Sequence, residues 1–387
     1  MEPAGPPAAP ARVVLRRLAV RDFRNLQRVE LAVPPDGLTV VGENGHGKTN
    51  LLESVYYLEL LRSVRGARDA DLVRFGAPGF HVAAEVDLPG EHRVASRAVG
   101  VGFERAGKRK RVRIDGAEVP RLSDALGALP SVIFSPGDVV LVAGSPSERR
   151  RYLDVALALT SRRYLAALQA YRGALVRRNA ALRDAARTGR GEERATVWEP
   201  ALAEHGAVLW TERRAWVRRH AGAFAALCAA IGERAPMRLR YATALEVDGE
   251  DSVEGARAAL GAALAAKRPL DLRRGLTHAG PHRDDLDLAL GGRELRLFGS
   301  AGQQRTAAIA LRMLEAATLR DHVGSAPLFL LDDPFAELDA RRAHAILALL
   351  GDAGLGQVLL VVPRASDVPE ELTRLPRASI RDGVLDA

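Results

Sequence analysis

The sequence Gly42-Glu-Asn-Gly-His-Gly-Lys48-Thr49-Asn50 decides the fold of this chain. It directly follows the apolar run Leu38-Thr-Val-Val41 and directly precedes the helix-like run Leu51-Leu-Glu-Ser-Val-Tyr-Tyr-Leu58. A strand, a G-x-x-x-x-G-K-[ST] loop and a helix in this order form a phosphate-binding loop, so we expect the chain to bind a nucleoside triphosphate. The alternative is a glycine-rich turn that binds nothing, and the flanking strand and helix argue against it.

Each part of this loop has a predicted role. Glycines let successive backbone N–H groups surround a polyphosphate, and the helix that follows presents its unpaired N-terminal donors to the same anion. We expect Lys48 to contact the β- and γ-phosphates and the Thr49 hydroxyl to bind Mg²⁺. The predicted nucleotide contacts of the loop are Gly42, Glu43, Asn44, Gly45, His46, Gly47, Lys48, Thr49 and Asn50.

Composition limits the class of protein. A chain of 387 residues with 47% hydrophobic content can form two or three domains with substantial cores. Its apolar runs, such as Val358–Val362, have the length of strands and fall short of the roughly 18 residues of a membrane span. Residues 1–10 lack a signal-peptide pattern and are predicted to be a disordered lead-in. The lone Cys228 excludes a disulfide framework, and we expect a cytoplasmic protein without a membrane partner.

The charge of the chain favours an anionic partner. The net charge is +8 and the isoelectric point is near 10.1. Clustered basic residues can neutralise phosphates along a groove, although each cluster can equally be a solvated helix or strand face. The clusters are Lys108–Arg113, Arg149–Arg151, Arg162–Arg163, Arg177–Arg178, Arg213–Arg214 and Arg218–Arg219.

The hydrophobic pattern changes along the chain. Period-two segments predict strands up to Ile114, whereas Leu and Ala recur at helical spacing from Glu148 to about Gly232 and from Ser252 to Lys267. We therefore predict an α/β fold whose ATPase domain comprises residues 11–135 and 271–387. Residues 136–270 are predicted to form an inserted, mostly helical lobe.

The C-terminal part predicts a return to the sheet. Residues 285–298 are predicted to form a hairpin around Gly291-Gly292. Ser300-Ala-Gly302-Gln303 then opens a helix. The apolar run Pro327–Leu331 ends in Asp332-Asp333, and two carboxylates at the C-terminal edge of a parallel strand are expected to serve Mg²⁺ and water chemistry.

Three motifs together resemble the ATP-binding-cassette (ABC) class of ATPases. They are the phosphate-binding loop, the Ser-x-Gly-Gln helix start and the strand that ends in paired acids. The resemblance implies an ABC-type ATPase head, with a P-loop sheet and flanking antiparallel strands, that binds ATP between two copies. Ser300 and Gly302, with Gln303 beside them, would then face the γ-phosphate held by the other copy.

The same resemblance assigns the catalytic residues. Lys48 would contact the phosphates, Asp332 would support Mg²⁺, and Asp333 would occupy the position of the catalytic base. That position is more often Glu in this class. Because a shorter carboxylate stands farther from the attacking water, we expect slow hydrolysis suited to a switch.

Further segments resemble the RecF family of bacterial recombination mediators, from about Val13 to the C-terminal region. They are Arg62-Ser63-Val-Arg65, Phe134-Ser-Pro136, Ser147–Asp154 and, most specifically, Gly275-Leu-Thr-His-Ala-Gly-Pro-His-Arg-Asp-Asp285. This resemblance implies an ATP-dependent homodimer on double-stranded or gapped DNA, with weak DNA-stimulated ATPase activity. It also implies partnership with RecR and RecO while RecA replaces single-strand-binding protein in DNA repair and replication restart.

Alternatives remain open at this stage. An ATPase subunit of a transporter would place its second motif much closer to the first, whereas here residues 50–299 intervene. A scaffold that binds nucleotide without turnover is the other alternative. Within the most specific segment, His278, His282, Asp284 and Asp285 can be a metal site or parts of a structural turn that carries arginine toward phosphate.

Overall fold

The computed structural model describes residues 12–89, 95–247, 252–335, 338–352 and 356–386. The predicted lead-in at residues 1–10 lies outside these ranges. The chain forms two compact units: the first runs up to Asp138 and resumes at Leu311, and the second is Val139–Ala310. These units are defined by compactness and not by function. The predicted boundaries of the ATPase domain, at residues 135 and 271, therefore stay a prediction.

The strands in chain order are β1 (Val14–Phe23), β2 (Leu26–Ala32), β3 (Gly37–Val41), β4 (Gly79–Leu88), β5 (Ala95–Glu104), β6 (Arg109–Ile114), β7 (Ala117–Glu118), β8 (Ser131–Phe134), β9 (Met237–Ala242), β10 (Asp285–Leu290), β11 (Arg293–Glu294), β12 (Leu328–Asp332), β13 (Val358–Val362), β14 (Arg377–Arg381) and β15 (Val384–Asp386).

The helices are α1 (Lys48–Leu60), α2 (Asp69–Leu72), α3 (Val140–Ala143), α4 (Pro146–Thr160), α5 (Arg162–Thr188), α6 (Glu192–Thr196), α7 (Glu199–Ile231), α8 (Val253–Arg274), α9 (Leu295–Phe298), α10 (Ala301–Val323) and α11 (Ala340–Asp352). Among the described residues, no helix is both long enough and apolar enough to cross a membrane.

The first unit contains two six-stranded sheets. One is antiparallel, in the order β2-β1-β4-β5-β6-β7, and the other is mainly parallel, in the order β15-β14-β3-β13-β12-β8. β12 and β13 are buried along their whole length, as expected for parallel strands covered on both faces. In β1, exposed residues alternate with buried ones from Arg17 to Arg21, as expected for an antiparallel sheet with one open face. The strands predicted up to Ile114 and at Pro327–Leu331 are confirmed where the structure describes them.

Helix α1 lies where the two sheets meet. It packs against β4 of the antiparallel sheet and against β8, β12 and β13 of the parallel sheet. Leu51, Leu52, Val55, Tyr56 and Leu58 are therefore all buried. A helix that is apolar around its circumference is stable only when it is covered in this way.

The second unit is built mainly from helices. α5, α7 and α8 pack on one another, and the small sheet β11-β10-β9 packs against α4 and α7. The helices predicted from Glu148 to Gly232 are confirmed, including the break after Thr188. β9 was not predicted, because the alternation in Met237-Arg-Leu-Arg-Tyr is carried by arginines rather than by a longer apolar pattern.

The predicted hairpin at residues 285–298 is only partly correct. Its second strand stops at Glu294, and Leu295–Phe298 form one helical turn closed by the bond from the Gly299 N–H to the Leu295 carbonyl (2.9 Å). The sequence Leu-Arg-Leu-Phe fits a strand. However, only Leu295 is buried, while Leu297 and Phe298 are exposed, so no second face holds the strand.

Gln357 ties the parallel sheet to the N-terminal strand. Its side chain is fully buried; Oε1 accepts a hydrogen bond from the Leu15 N–H (2.7 Å), and Nε2 donates to the carbonyls of Leu15 (2.9 Å) and Pro34 (2.8 Å). One amide thus satisfies three backbone groups that strand pairing leaves open. A buried polar group without a partner is costly, so this contact fixes β1 beside β13.

We predict that Gln357→Met lowers the free energy of unfolding of the first unit by about 2–4 kcal/mol, because three backbone groups lose their partner. Chemical denaturation measures the change. Gln27→Met is the matched control, since Gln27 is exposed on β2. A Gln357→Met variant as stable as the control would show that water or neighbouring groups replace the amide.

Candidate functional site

The loop of residues 42–47 joins the end of β3 to the start of α1. Gly47 has φ 109°, in the region that favours glycine, and a Cβ there would lie 2.9 Å from the Asn25 side chain. Its carbonyl accepts the first helical bond of α1, from the Leu51 N–H at 2.9 Å. The loop therefore leads directly into the N-terminal donors of a long buried helix, as the sequence predicts.

Lys48 is nearly buried at the start of α1. Its ammonium group donates to the carbonyls of Gly42 (2.5 Å) and Glu43 (2.8 Å) and lies 3.5 Å from Oδ1 of Asn44. Burial lowers the pKa of Lys48, although Asp332, Asp333 and Glu43 oppose the shift. The lysine is thus held against the loop and faces two carboxylates from a distant part of the chain.

Thr49 and Asp332 meet at this loop. The Thr49 hydroxyl donates to Oδ1 of Asp332 at 3.0 Å, although 283 positions separate the two residues. Burial raises the pKa of Asp332; the Thr49 hydrogen bond lowers it, and the neighbouring Asp333 raises it further. A hydroxyl and a carboxylate are the oxygen ligands that Mg²⁺ takes from proteins, which leaves its other positions to phosphate and water.

Asp333 follows directly after β12. Its φ is 45°, an uncommon value for a residue other than glycine, and its N–H donates to the Val361 carbonyl at 2.9 Å. The backbone therefore turns sharply at the sheet edge, immediately after the carboxylate of Asp332.

The β14–β15 hairpin supports the loop from outside. Nδ1 of His46 accepts from the Asp382 N–H (2.9 Å), and the His46 carbonyl accepts from the Gly383 N–H (2.9 Å). Gly383 has φ 78°, and a Cβ there would lie 2.2 Å from the Asn25 carbonyl oxygen. Asn25 also accepts a hydrogen bond from the Asn50 amide (2.8 Å). Sequence reasoning missed this support, although Asp382-Gly383 is a recognisable hairpin turn.

Glu53 organises the side of α1 that carries Asn50. Its buried carboxylate accepts hydrogen bonds from Arg24 (3.0 and 3.2 Å), Ser63 (2.5 Å) and Arg65. Burial acts to raise the pKa of Glu53, but the bonds from Arg65, Arg24 and Ser63 outweigh it, so the pKa is lowered. Arg65 also donates to Oδ1 of Asn50 (2.5 Å). Arg65 thus makes a structural contact with the helix that follows the loop.

The Ser-x-Gly-Gln segment begins α10 with reciprocal capping. The Ser300 N–H donates to Oε1 of Gln303 (2.9 Å), and the Gln303 N–H donates to Oγ of Ser300 (3.3 Å). The amide of Gln304 reaches back to the carbonyls of Leu295, Arg296 and Gly299. Ser300 and Ala301 remain exposed, so the start of α10 is accessible to solvent.

The segment from Thr277 to Asp285 is a turn held by hydrogen bonds to side chains from other parts of the second unit. Oδ1 of Asp271 accepts a hydrogen bond from the backbone N–H of His278 (3.0 Å) and lies 2.7 Å from Nδ1 of the His278 ring. Tyr241 donates to Asp284 (2.6 Å), and Arg149 forms a two-pronged bond with Asp285 (2.8 and 2.7 Å).

His282 completes the turn. Nε2 of its ring lies 3.0 Å from the Thr277 carbonyl, and Nδ1 lies 2.6 Å from the Tyr171 hydroxyl. Because a carbonyl only accepts, Nε2 carries the proton and Nδ1 accepts from Tyr171. The four possible metal ligands His278, His282, Asp284 and Asp285 thus have protein partners, and Arg283 is left exposed. This geometry favours the structural turn.

Several clustered arginines lie inside the second unit. Arg178 is fully buried and donates to Asp271 (2.8 Å), Thr277 (2.7 Å) and Glu199 (2.9 Å). Arg213 is buried against Asp154 (2.7 Å). These arginines, with Arg149, form the core of the lobe rather than its surface, so part of the predicted phosphate-binding clusters is structural.

The structure therefore brings the loop, Thr49, Asp332 and Asp333 together in the first unit. Ser300, Gly302 and Gln303 belong to the second unit, and their predicted role across a dimer stays a prediction.

A phosphate-binding loop in a parallel sheet, a strand of the same sheet that ends in paired acids, and a flanking antiparallel sheet define the head fold of the ABC-type ATPases. Residues 14–381 match the RecF/RecN/SMC N terminal domain family. The chain belongs to this group and, within it, to the RecF family.

Relatives support this placement. The "DNA replication and repair protein RecF" of Anaeromyxobacter dehalogenans (strain 2CP-C) is 42% identical over 340 residues, which cover 87% of this chain and 89% of the relative. The protein of the same name from Chloroflexus aggregans is 37% identical and covers 96% and 99% of the two chains.

Solved structures agree with the fold. The recombination mediator protein RecF-ATPrS in the RecFOR pathway superposes with a TM-score of 0.88 at 28% identity, covering 98% of this chain and 99% of that one. The Smc head domain of Pyrococcus furiosus shares the fold alone, with a TM-score of 0.54 at 17% identity over 97% and 95% of the chains.

His282 predicts a pH dependence for the second unit. Burial, foremost, with Arg283 and Arg150 nearby, lowers its pKa to about 4, although the Thr277 carbonyl opposes the shift. Below pH ~6.5 His282 is protonated in the unfolded chain but stays neutral in the folded chain until the pH approaches 4. The free energy of unfolding should therefore fall by about 1–3 kcal/mol between pH 7 and pH 4.

Chemical denaturation at a series of pH values measures this loss. In His282→Gln the loss of unfolding free energy over this range should be smaller. The difference in unfolding free energy between the two proteins at pH 7.5 reports only the altered hydrogen bonds. Parallel profiles for the two proteins would show that His282 does not carry the dependence.

Proposed function

We propose that this chain binds ATP with Mg²⁺ at residues 42–50. Lys48 would exchange its contacts with the loop carbonyls for the β- and γ-phosphates. Thr49 and Asp332 would place the Mg²⁺, which supplies charge neutralisation at the phosphates. The observation that carries this proposal is the 3.0 Å contact between Thr49 and Asp332, because it joins the loop to the acidic strand.

We propose further that ATP joins two copies of the chain. Ser300, Gly302 and Gln303 of one copy would then contact the γ-phosphate held by the other. The exposed start of α10 supports this, because the partial positive charge of a helix N-terminus attracts phosphate. The RecF-ATPrS and RecF-ATP structures, whose fold this chain shares, support the choice of nucleotide.

The proposed substrate of the dimer is double-stranded or gapped DNA. Membership of the RecF family, whose members are named DNA replication and repair proteins, supports a role in recombinational repair and replication restart. By the same relationship RecR and RecO are the proposed partners, and loading of RecA is the proposed outcome. Binding would be dominated by phosphate contacts and largely independent of sequence.

Slow hydrolysis would release the DNA. Asp333 is the proposed catalytic base, because it lies directly after the Mg²⁺ carboxylate at the sheet edge. Its short side chain favours a weak ATPase that acts as a timed switch.

Lys48→Met tests the nucleotide-dependent dimer. With ATP, Mg²⁺ and a short duplex, size analysis should show a dimer that retains DNA for the unaltered chain, and a monomer with DNA retention lost for Lys48→Met. Lys267→Met is the matched control, because it removes the same charge from an exposed position. A monomer that binds DNA equally well in all three proteins would overturn the clamp, and a dimer without duplex affinity would favour a transport-type ATPase subunit.

Asp333→Asn tests release by hydrolysis. The variant should keep ATP binding but hold DNA about ten times longer or more, since general-base catalysis is worth about 10²–10⁴-fold in rate. The dissociation rate from labelled duplex in the presence of ATP measures this lifetime. Asp321→Asn, at an exposed position, is the control. Equal lifetimes would favour a scaffold that binds nucleotide without turnover.

A further inference from the structure

The antiparallel sheet of the first unit has one covered face and one open face. Leu18, Val20, Val82, Val101 and Val112 point to the covered face and are buried. The alternating residues lie on the open face because successive side chains of a strand point to opposite sides. The open-face residues of the four central strands that matter here are Arg17, Ala19, Arg21, His81, Ala83, Glu85, Gly100, Gly102, Glu104, Arg109, Arg111 and Arg113.

The middle of this open face has almost no side chains. Ala19 of β1 pairs with Ala83 of β4, which pairs with Gly100 of β5; in the next row His81 pairs with Gly102. Two shallow depressions follow these rows. The charged residues that line one of them are Arg17, Glu30, Glu85 and Arg113, and those that line the other are Arg21, Asp22, Glu104, Arg109 and Arg111. Together they form a trough whose floor is alanine and glycine.

Arginines form both rims of this trough. One rim is on β1, and the other is on β6, three strand spacings or about 14 Å away. Arg111 and Arg113 are two residues apart on one strand, so their Cα atoms are about 7 Å apart. This distance spans about two phosphates along one strand of a duplex, which carries a phosphate every ~3.4 Å of axis.

The two rims differ in their carboxylate partners. On the β1 side, Arg17 lies 3.7 Å from Glu85, and Arg28 of β2 forms a 2.6 Å ion pair with Glu30. Arg111 and Arg113 are exposed, and within the described part of the chain no carboxylate pairs with either of them. The β6 rim therefore offers two guanidinium groups that need no exchange of partners before they bind an anion.

We propose that this open face, the arginine trough of Arg17, Arg21, Arg109, Arg111 and Arg113, binds the phosphate backbone of duplex DNA. The proposal rests on the DNA binding proposed above and identifies the surface that carries it. A duplex would lie over the alanine and glycine floor, with phosphates contacting the rims. Because the floor has no base-reading side chains, contact would be independent of sequence.

The unpaired guanidinium groups of the β6 rim and the composition of the floor favour DNA over an acidic protein. Protein interfaces usually place aromatic or large aliphatic anchors at their centre. The centre of this face has only Ala19, Ala83, Gly100 and Gly102, with His81 beside them. A polyphosphate needs no such anchors, since it is held by charge and by guanidinium hydrogen bonds.

The first test removes the two unpaired rim charges together, in Arg111→Gln/Arg113→Gln. The slope of log Kd against log salt for a short duplex, with ATP and Mg²⁺ present, should fall by about 2, and affinity at 0.1 M salt should fall up to about sixtyfold. The control Arg187→Gln/Arg190→Gln removes the same charge from exposed positions in the second unit. Equal losses in both variants would reduce the effect to net charge and overturn the proposal.

A second test locates the DNA directly. Cys228 is buried and burial raises its pKa to about 12, so it should react slowly, and Ala83→Cys adds one reactive thiol on the trough floor. Duplex DNA with ATP should slow maleimide labelling of Ala83→Cys at least fivefold and leave Ala186→Cys, an exposed control on α5, unchanged. Labelling of both cysteines at unchanged rates, or equal protection by polyglutamate, would overturn the proposal.

These results separate two kinds of failure. If the unaltered chain binds no duplex with ATP and Mg²⁺, the proposed function fails, and the trough proposal fails with it. If the unaltered chain binds DNA and Arg111→Gln/Arg113→Gln binds it equally well, with ATP binding intact, only the trough is wrong.

Discussion

The hydrogen bond between Thr49 and Asp332 requires the strand order of the whole parallel sheet. β3 delivers the loop and β12 delivers the acid, with β13 between them, so their C-terminal ends reach the same edge. α1 can follow the loop only because both sheets cover it. Gln357 fixes β13 beside β1 through buried backbone contacts, and the loop site therefore depends on packing far from any phosphate.

Much of this arrangement follows from the sequence. Continuous apolar runs predict the buried parallel strands, and the glycine-rich loop predicts the turn into α1. What holds the loop could not be read in the same way: Asn25, Asp382 and Gly383 act through backbone atoms and close approach, and they lie far apart in the chain. The helical turn at Leu295–Phe298 forms because Leu295 is buried while Leu297 and Phe298 are exposed. The local hydrophobic pattern does not show which of these side chains packs against the rest of the unit.

Arginine serves two opposite purposes in this chain. In the second unit, Arg178 and Arg213 are buried and bind carboxylates, whereas Arg111 and Arg113 stand exposed on the sheet of the first unit. In the sequence the two groups of arginines look alike, because both belong to basic clusters. They differ in burial, because a guanidinium can be buried only where carboxylates and carbonyls satisfy its fixed donor geometry. A high isoelectric point therefore overstates the charge available to a ligand.

The contacts of Arg178 constrain how the lobe can change over time. One side chain satisfies Asp271, Glu199 and Thr277, and Asp271 in turn holds His278 at the start of the turn. Replacement of the arginine alone would remove a partner from two carboxylates inside the lobe, and replacement of either acid alone would leave the buried guanidinium with one carboxylate instead of two. Substitutions in this cluster are therefore expected to be epistatic. During evolution its residues should be replaced together, because a replacement of one of them alone is costly.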